Sequence, residues 1–251
     1  MEINSYQKLK DNIYVITLDN GTSLKLYDET IIKFGLLTKK ALTSPELMEI
    51  TKANDALRPY YIALKYLVKK MRSCLEVKHY LAGKGYDDKT IKKTIELLES
   101  QGHLNDQQFM ISYINDQIIL TNQGPLKIKA NLMKLGIDEA SIKIEVDFRP
   151  KLENLIAKKV ALNHKLSTNA LKHNLTNYLI NLGYELDMFT NLLADISLNE
   201  TELIKHDYDC LMKKYDKKYQ NKQLKLFIRD KLYRKGYNIE VINEVMNEDI
   251  Y

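Results

Sequence analysis

The chain has 251 residues, of which 45% are apolar and 28% charged, with a net charge of +5; that is enough to bury one large core or several small ones. Its longest uncharged apolar runs, such as 118–120 and 192–194, fall far short of the ~20 residues a bilayer requires, so no membrane span is expected. Met1 is followed by acidic and polar residues rather than by a basic and then an apolar stretch, so no secretory signal is expected and the protein is placed in the cytoplasm.

With only 4 prolines and 9 glycines, and with Lys, Leu, Ile and Asn abundant, the composition predicts a mainly α protein with short connections. The first 57 residues read differently from the rest. Residues 12–18 form a β-rich run, Asp19-Asn20-Gly21 is a hairpin turn signal, and residues 22–27 supply the partner strand. A short helix over 28–34 closes on Gly35, and another begins at Ser44-Pro45, cap and first-turn proline in order. An isolated hairpin is marginal in water, so it should lean on neighbouring helices or a partner.

Beyond residue 57 the sequence repeats itself. KHYLAGKGYDDKTIKKTI, KANLMKLGIDEASIKIEV, TNYLINLGYELDMFTNLL and RDKLYRKGYNIEVINEVM align on Gly85, Gly136, Gly183 and Gly236. Leu81, Leu132, Leu179 and Leu232 stand four residues before the glycines, and Val77, Ile128, Leu175 and Ile228 eight before. This is the buried stripe of an incoming helix. After the glycine come Tyr86, Ile137, Tyr184 or Tyr237, then Ile91, Ile142, Phe189 or Ile242, then Ile95, Val146, Leu193 or Met246, the stripe of an outgoing helix. Each glycine suits the left-handed residue that ends a helix before a sharp turn. Asp87 and Asp138 are good caps for the outgoing helix, Asn238 is fair and Glu185 poor.

The glycines recur roughly every fifty residues, too long for two helices and right for three. The preceding helices are expected over 58–71, from Asp106 with its carboxylate as cap, over 150–164 and over 200–219. The domain organisation is therefore a small N-terminal β-hairpin extension over 1–57, then tandem three-helix repeats over 58–104, 105–148, 149–199 and 200–251, forming an elongated curved array.

Little in the chain suggests catalysis. There is no glycine-rich phosphate loop, nucleophile elbow or HExxH, and the adjacent acids Asp87-Asp88 and Glu248-Asp249 diverge. Cys74 and Cys210 read as small buried side chains, and the five histidines lack metal-ligand spacing. Neither a metal nor a cofactor is expected.

Charge narrows the function. Residues 213–235 carry ten basic residues against two acids, Asp216 and Asp230, with Tyr215, Tyr219, Phe227 and Tyr233 interleaved. Lys218, Lys222, Lys225 and Arg229 share a face on a continuous helix, opposite Leu224, Ile228 and Leu232; they still cluster if a turn falls near Gln220-Asn221. Lys214 belongs to the same strip. A second basic group is Lys65, Lys69, Lys70, Arg72 and Lys78, with Glu76 the one acid among them. Such strips suit a phosphate backbone, although a solvated lysine-rich face gives the same pattern. Tyr215 and Tyr219 are the candidates for stacking on bases or packing on a partner.

Several motifs fall in one register: Arg72-Ser73-Cys74-Leu75-Glu76-Val77 ending in Gly85-Tyr86, Gly102-His103-Leu104-Asn105-Asp106 with Phe109 and Tyr113, and Gly124-Pro125-Leu126-Lys127-Ile128 ending in Gly136-Ile137. From about Tyr60 onward the chain resembles the RecX family of bacterial regulatory proteins, and its N-terminal hairpin resembles the extension of longer members from Gram-positive bacteria. Asn131, Leu135 and Asp116 depart from the residues common at those places, which weakens a nucleic-acid surface on the second repeat. The resemblance implies a non-catalytic, monomeric modulator of RecA. Such a protein binds RecA or its filament on single-stranded DNA and restrains strand exchange and SOS coprotease activity. The basic strips would then meet DNA, single- or double-stranded, or RecA itself. The alternative is a helical-repeat nucleic-acid-binding protein with no RecA-specific role.

Overall fold

The structure is a computed structural model describing residues 1–9, 12–219 and 221–248, apart from the side chains of Asn221 and Glu248. Its described residues form twelve α-helices and one three-stranded sheet. By packing they divide into two bodies: residues 1–111 with 135–137, and residues 112–134 with 138 onward.

The first body opens with antiparallel strands β1 (Ile3–Lys8), β2 (Ile13–Leu18) and β3 (Ser23–Tyr27) in the order β1-β2-β3. The expected hairpin is β2-β3, turned at Gly21 with φ +79 and registered Tyr14 to Leu26 and Ile16 to Leu24. Strand β1 adds an edge that the sequence does not announce: Ile-Asn-Ser-Tyr-Gln-Lys has no buried face to pattern, and only Ile3 is even partly buried. The inner face of the sheet, Ile16, Leu18 and Leu26, packs with Ile31, Leu36, Leu42 and Ile50 from helix α1 (Asp28–Lys33), the following loop and helix α2 (Ser44–Leu67).

Helix α2 corrects two expectations. The helices expected from 44 and over 58–71 are one element, running through Pro59; a proline inside a helix loses its own bond to the carbonyl four residues back and crowds that carbonyl, a cost that the burial of Pro59, Tyr60 and Tyr61 offsets. The cap is Thr43 rather than Ser44, in a full capping box: Thr43 Oγ1 accepts from Glu46 N–H at 3.4 Å and Glu46 Oε2 accepts from Thr43 N–H at 2.8 Å. Sheet and helix are tied by buried Asn54, whose Oδ1 accepts from Tyr27 N–H (2.8 Å) and whose Nδ2 donates to the Lys25 carbonyl (3.1 Å).

Helices α3 (Cys74–Ala82) and α4 (Asp88–Ser100) complete the first repeat, with Tyr60, Tyr61, Ala63, Val77, Leu81, Ile91, Leu98 and Leu104 in its core. Helix α5 (Asp106–Leu120) follows. Asp106 does not cap its own helix; Asn105 does, accepting from Gln108 N–H at 2.9 Å. The Asp106 carboxylate instead accepts from Cys74 N–H at 2.8 Å, capping α3.

The second body contains α6 (Pro125–Lys134), α7 (Arg149–Ala161), α8 (Thr168–Leu182), α9 (Thr190–Ala194), α10 (Thr201–Tyr215), α11 (Asn221–Arg234) and α12 (Ile239–Glu248). Two outgoing helices fall short of expectation. After Asp138 only a 3-10 turn forms over Glu139–Ser141, because Ile142, Ile144 and Val146 alternate as β-branched residues that prefer extended backbone; Ile142 has φ −80 and ψ 107. After Glu185, which makes no side-chain cap, a 3-10 turn over Leu186–Met188 breaks at Phe189 before the short α9. The last repeat is complete, its core formed by Ile204, Tyr208, Leu224, Ile228, Leu232, Tyr237, Ile242, Val245 and Met246.

All four repeat glycines are left-handed, with φ +88 at Gly85, Gly136 and Gly183 and +90 at Gly236. Within the second body their turns receive helix starts. The N–H groups of Gly124 and Leu126, opening α6, donate to the carbonyls of Leu182 (2.7 Å) and Gly183 (3.0 Å) that end α8. Ser167, which caps α8, donates from Oγ to the Lys235 carbonyl at the end of α11 (2.7 Å). At the first joint one helix's unsatisfied amides meet another's unsatisfied carbonyls, and at the second the cap hydroxyl does so. In the first body Gly136 meets Leu75 at the start of α3, where an added Cβ would come within 2.7 Å.

Candidate nucleic-acid interface

The C-terminal basic strip is broken where α10 ends at Tyr215 and α11 begins at Asn221; Gln220, at the turn that the sequence suggests, lies outside the described residues. Lys214 ends up on α10 with its ammonium 5.4 Å from the Tyr215 ring, and Lys218 is exposed in the connection. On α11, Leu224, Ile228 and Leu232 are buried, which turns Lys222, Leu226, Arg229 and Tyr233 to solvent at helical spacing, with Lys225 on the shoulder. Leu226 is 57% exposed and Tyr233 63%.

Among the described residues, Lys218, Lys222, Lys225 and Arg229 have neither an acidic nor an aromatic partner, whereas several of their neighbours do. Arg234 pairs with Asp230 at 3.0 Å, Lys235 with Asp207 at 2.6 Å, and Lys231 sits 5.3 Å from the Phe227 ring. The strip is thereby sorted into structural cations and a free row.

The two tyrosines singled out from the sequence occupy a different role. Tyr215 meets Phe227 edge to face at 4.8 Å, and Tyr219 stacks on it at 4.7 Å; both pack against the core of the last repeat. Tyr233, interleaved in the same strip, is the aromatic whose ring lies open beside the free cations. Residue spacing held the signal, since Tyr233 falls four residues after Arg229.

The first basic group is more engaged. Arg72 lies 4.3 Å from the Tyr66 ring and 2.8 Å from Glu76, and Lys70 approaches the same carboxylate at 3.9 Å. Tyr66 stacks on Tyr80 at 4.0 Å and Lys84 lies over Tyr80 at 5.5 Å, so both ring faces of this pair are covered. Lys65, Lys69 and Lys78 are exposed, and Lys78 borders a groove with Asp88, Lys92, Glu96 and Glu99. That surface is of mixed charge.

The cysteines depart from expectation. Cys74 is half-buried, and burial together with Glu99, 3.2 Å from its sulfur, pushes its thiol well above the usual range. Cys210 is exposed on the solvent side of α10, one turn from His206, whose Nε2 is 3.6 Å from the sulfur. No group of three His, Cys, Asp or Glu among the described residues could hold a metal ion, and no described helix is long and apolar enough to cross a membrane.

The fold and its surface thus define a helical-repeat protein with a free basic face. Residues 60–98 match the family model of the RecX first three-helix domain. The chain is 31% identical to the regulatory protein RecX of Streptococcus uberis and 29% identical to that of Streptococcus equi subsp. zooepidemicus, over 99% of each chain in both comparisons. A crystal structure of regulatory protein RecX aligns over 98% of each chain at 17% identity with a TM-score of 0.48. The chain belongs to the RecX family of regulatory proteins.

Proposed function

We propose that this chain is a non-catalytic regulator of the RecA recombinase. It acts in the cytoplasm as a monomer, binds RecA and the RecA filament on single-stranded DNA, contacts DNA directly, and restrains ATP hydrolysis, strand exchange and SOS coprotease activity. Membership of a family of regulatory proteins over the full length supports the regulatory part. The observation that carries the DNA contact is the unpaired row Lys222, Lys225 and Arg229 on α11 around exposed Tyr233. Each phosphate neutralised there releases counterions, and the Tyr233 ring offers a base a free face. Lys214 and Lys218 extend this site. The group of Lys65, Lys69, Lys70, Arg72 and Lys78 is secondary, because Glu76 already holds Arg72 and Lys70.

The test is a titration of DNA-dependent ATP hydrolysis by RecA, with binding to naked DNA followed in the same buffer. Inhibition well below coverage of the DNA supports the proposal. Inhibition that only tracks coverage supports instead a helical-repeat nucleic-acid-binding protein without a RecA-specific role.

A further inference from the structure

The four repeat turns share a backbone and differ in company. An added Cβ would come within 2.5 Å of Lys127 at Gly183, 2.7 Å of Ser167 at Gly236 and 2.7 Å of Leu75 at Gly136, because a helix start fills each place. At Gly85 it would meet nothing within 4 Å, and the glycine is exposed. The carbonyls of Lys84 and Gly85 correspond to those of Leu182 and Gly183, which accept from Gly124 and Leu126. Among the described residues, nothing donates to the first pair.

We propose that the Gly85 turn is an open acceptor for the first turn of a helix from a protein partner; on the functional reading above, on which this rests, that partner is a RecA subunit. The three filled turns specify the occupant. Each holds the start of a helix whose cap is Ser73, Gly124 or Ser167, residues small enough to let the helix start close on the turn; the donors to the turn carbonyls are the Gly124 and Leu126 amides at Gly183 and the Ser167 hydroxyl at Gly236, while Leu75 packs on Gly136. Charge points the same way. The end of α3 carries the partial negative charge of its last carbonyls, and its side-chain charges are balanced, Lys84 and Lys89 against Asp87 and Asp88, which leaves the carbonyls to favour the partially positive start of a helix. Protein therefore meets the Gly85 turn, and nucleic acid meets α11.

The experiment compares the full-length chain with Gly85→Asn and Ala82→Arg, measuring co-sedimentation with RecA filaments on single-stranded DNA and, separately, affinity for the same DNA without RecA. Asn tolerates the left-handed region, and at position 85 its Cβ enters empty space, so this variant should melt like the wild type. The same change at Gly183, against Lys127, should unfold the second body. Ala82 is exposed in the last turn of α3, so arginine there adds bulk and positive charge beside the turn without touching its backbone. Both variants should lose at least about tenfold in filament affinity while keeping wild-type affinity for DNA. If Gly85→Asn fails to fold, Ala82→Arg decides alone. Folded variants that bind filaments like the wild type overturn the assignment of Gly85, whereas a wild-type chain that binds no filament overturns the RecA reading itself.

Discussion

The Tyr237 hydroxyl donates to Asp207 at 2.8 Å, and the same carboxylate lies 2.6 Å from Lys235 Nζ. The residue after the fourth repeat glycine is thereby tied to α10, the first helix of its repeat, and burial followed by the Asp207 carboxylate pushes the Tyr237 phenol well above its usual range. Tyr184, its counterpart in the third repeat, packs edge to face on Phe148 at 5.9 Å. Its buried hydroxyl has no partner among the described residues, and burial pushes it up to about 12.

These two tyrosines should respond oppositely to loss of the hydroxyl. Tyr237→Phe leaves Asp207 short of a donor and should cost about 1–2 kcal/mol, with Asp207→Ala, which strands a buried hydroxyl, at the upper end of about 1–3 kcal/mol. Tyr184→Phe should be neutral or stabilising, because it removes an unsatisfied polar atom. Urea unfolding of the three variants checks this; a drop in stability at Tyr184 as large as that at Tyr237 would show that the Tyr184 hydroxyl has a partner after all.

Asn54 should be among the least replaceable residues of the first body. It holds Tyr27 N–H and the Lys25 carbonyl from within α2 and takes a 3.3 Å hydrogen bond from Thr30 Oγ1. Asn54→Leu matches its size and strands two backbone groups and a hydroxyl at once, so it should destabilise the chain by about 2–4 kcal/mol. Faster hydrogen exchange of the β3 amides in the variant would locate the damage at the sheet.

Gly124 makes a sharper demand than its place before Pro125 indicates. A Cβ there would lie 2.5 Å from the Gly183 carbonyl oxygen, backbone that has no room to give. Gly124→Ala should therefore cost more than about 3 kcal/mol and loosen the joint between α6 and α8. Retention of wild-type stability, read by thermal unfolding, would refute the helix-end contact as a packing device.

The features legible in the sequence are those with a local cause. Four left-handed glycines, the β2-β3 turn and the leucine stripes all follow from single-residue preferences repeated in register. The features that stay hidden depend on neighbours distant in sequence. Asp106 stands where a cap belongs and caps α3 instead. Pro59 looks like a helix start and is carried through α2 by its buried surroundings. Tyr219 looks free within a basic run and is taken by Phe227. The weak outgoing helices are partly readable, since Glu185 is a poor cap, but the β-branched alternation after Asp138 is hidden beneath an apolar spacing that also fits a helix. In the candidate site, the basic run is visible as composition; which of its cations are free is decided by Asp207, Asp230 and Phe227.

The start of α2 should be acid-sensitive. The Lys39 ammonium, 2.7 Å away, and the hydrogen bonds of the capping box hold Glu46 down to about 2, against an ordinary glutamate value of about 4. A carboxylate depressed in the folded state contributes stability above its unfolded pKa and loses it as pH falls through the window between those values. The wild type should therefore lose more thermal stability than Glu46→Gln when pH drops from 7 to 3. The difference should shrink in high salt, because the pair is exposed. Parallel decline in the two proteins would remove Glu46 as the cause.

The last prediction separates the free face of α11 from the rest of the basic strip. Reversing Lys222, Lys225 and Arg229 to glutamate alters no ion pair among the described residues and lies opposite the buried Leu224, Ile228 and Leu232, so the melting temperature should hold. DNA affinity should fall, and the slope of log affinity against log salt should flatten by about one unit for each phosphate that the chain no longer neutralises. The same reversal at Lys69 and Lys78 should do much less, since that surface already carries Asp88, Glu96 and Glu99. Tyr233→Ala should weaken single-stranded DNA binding by about 1–3 kcal/mol with little change in the salt slope, as expected for a stacked ring. Tyr219→Ala, by contrast, should lower stability by exposing Phe227, and should affect DNA binding only through that destabilisation. If Tyr219→Ala lowers affinity while the chain remains fully folded and Tyr233→Ala does not, the stacking surface lies on the connection between α10 and α11, and the assignment to the exposed ring of α11 is wrong.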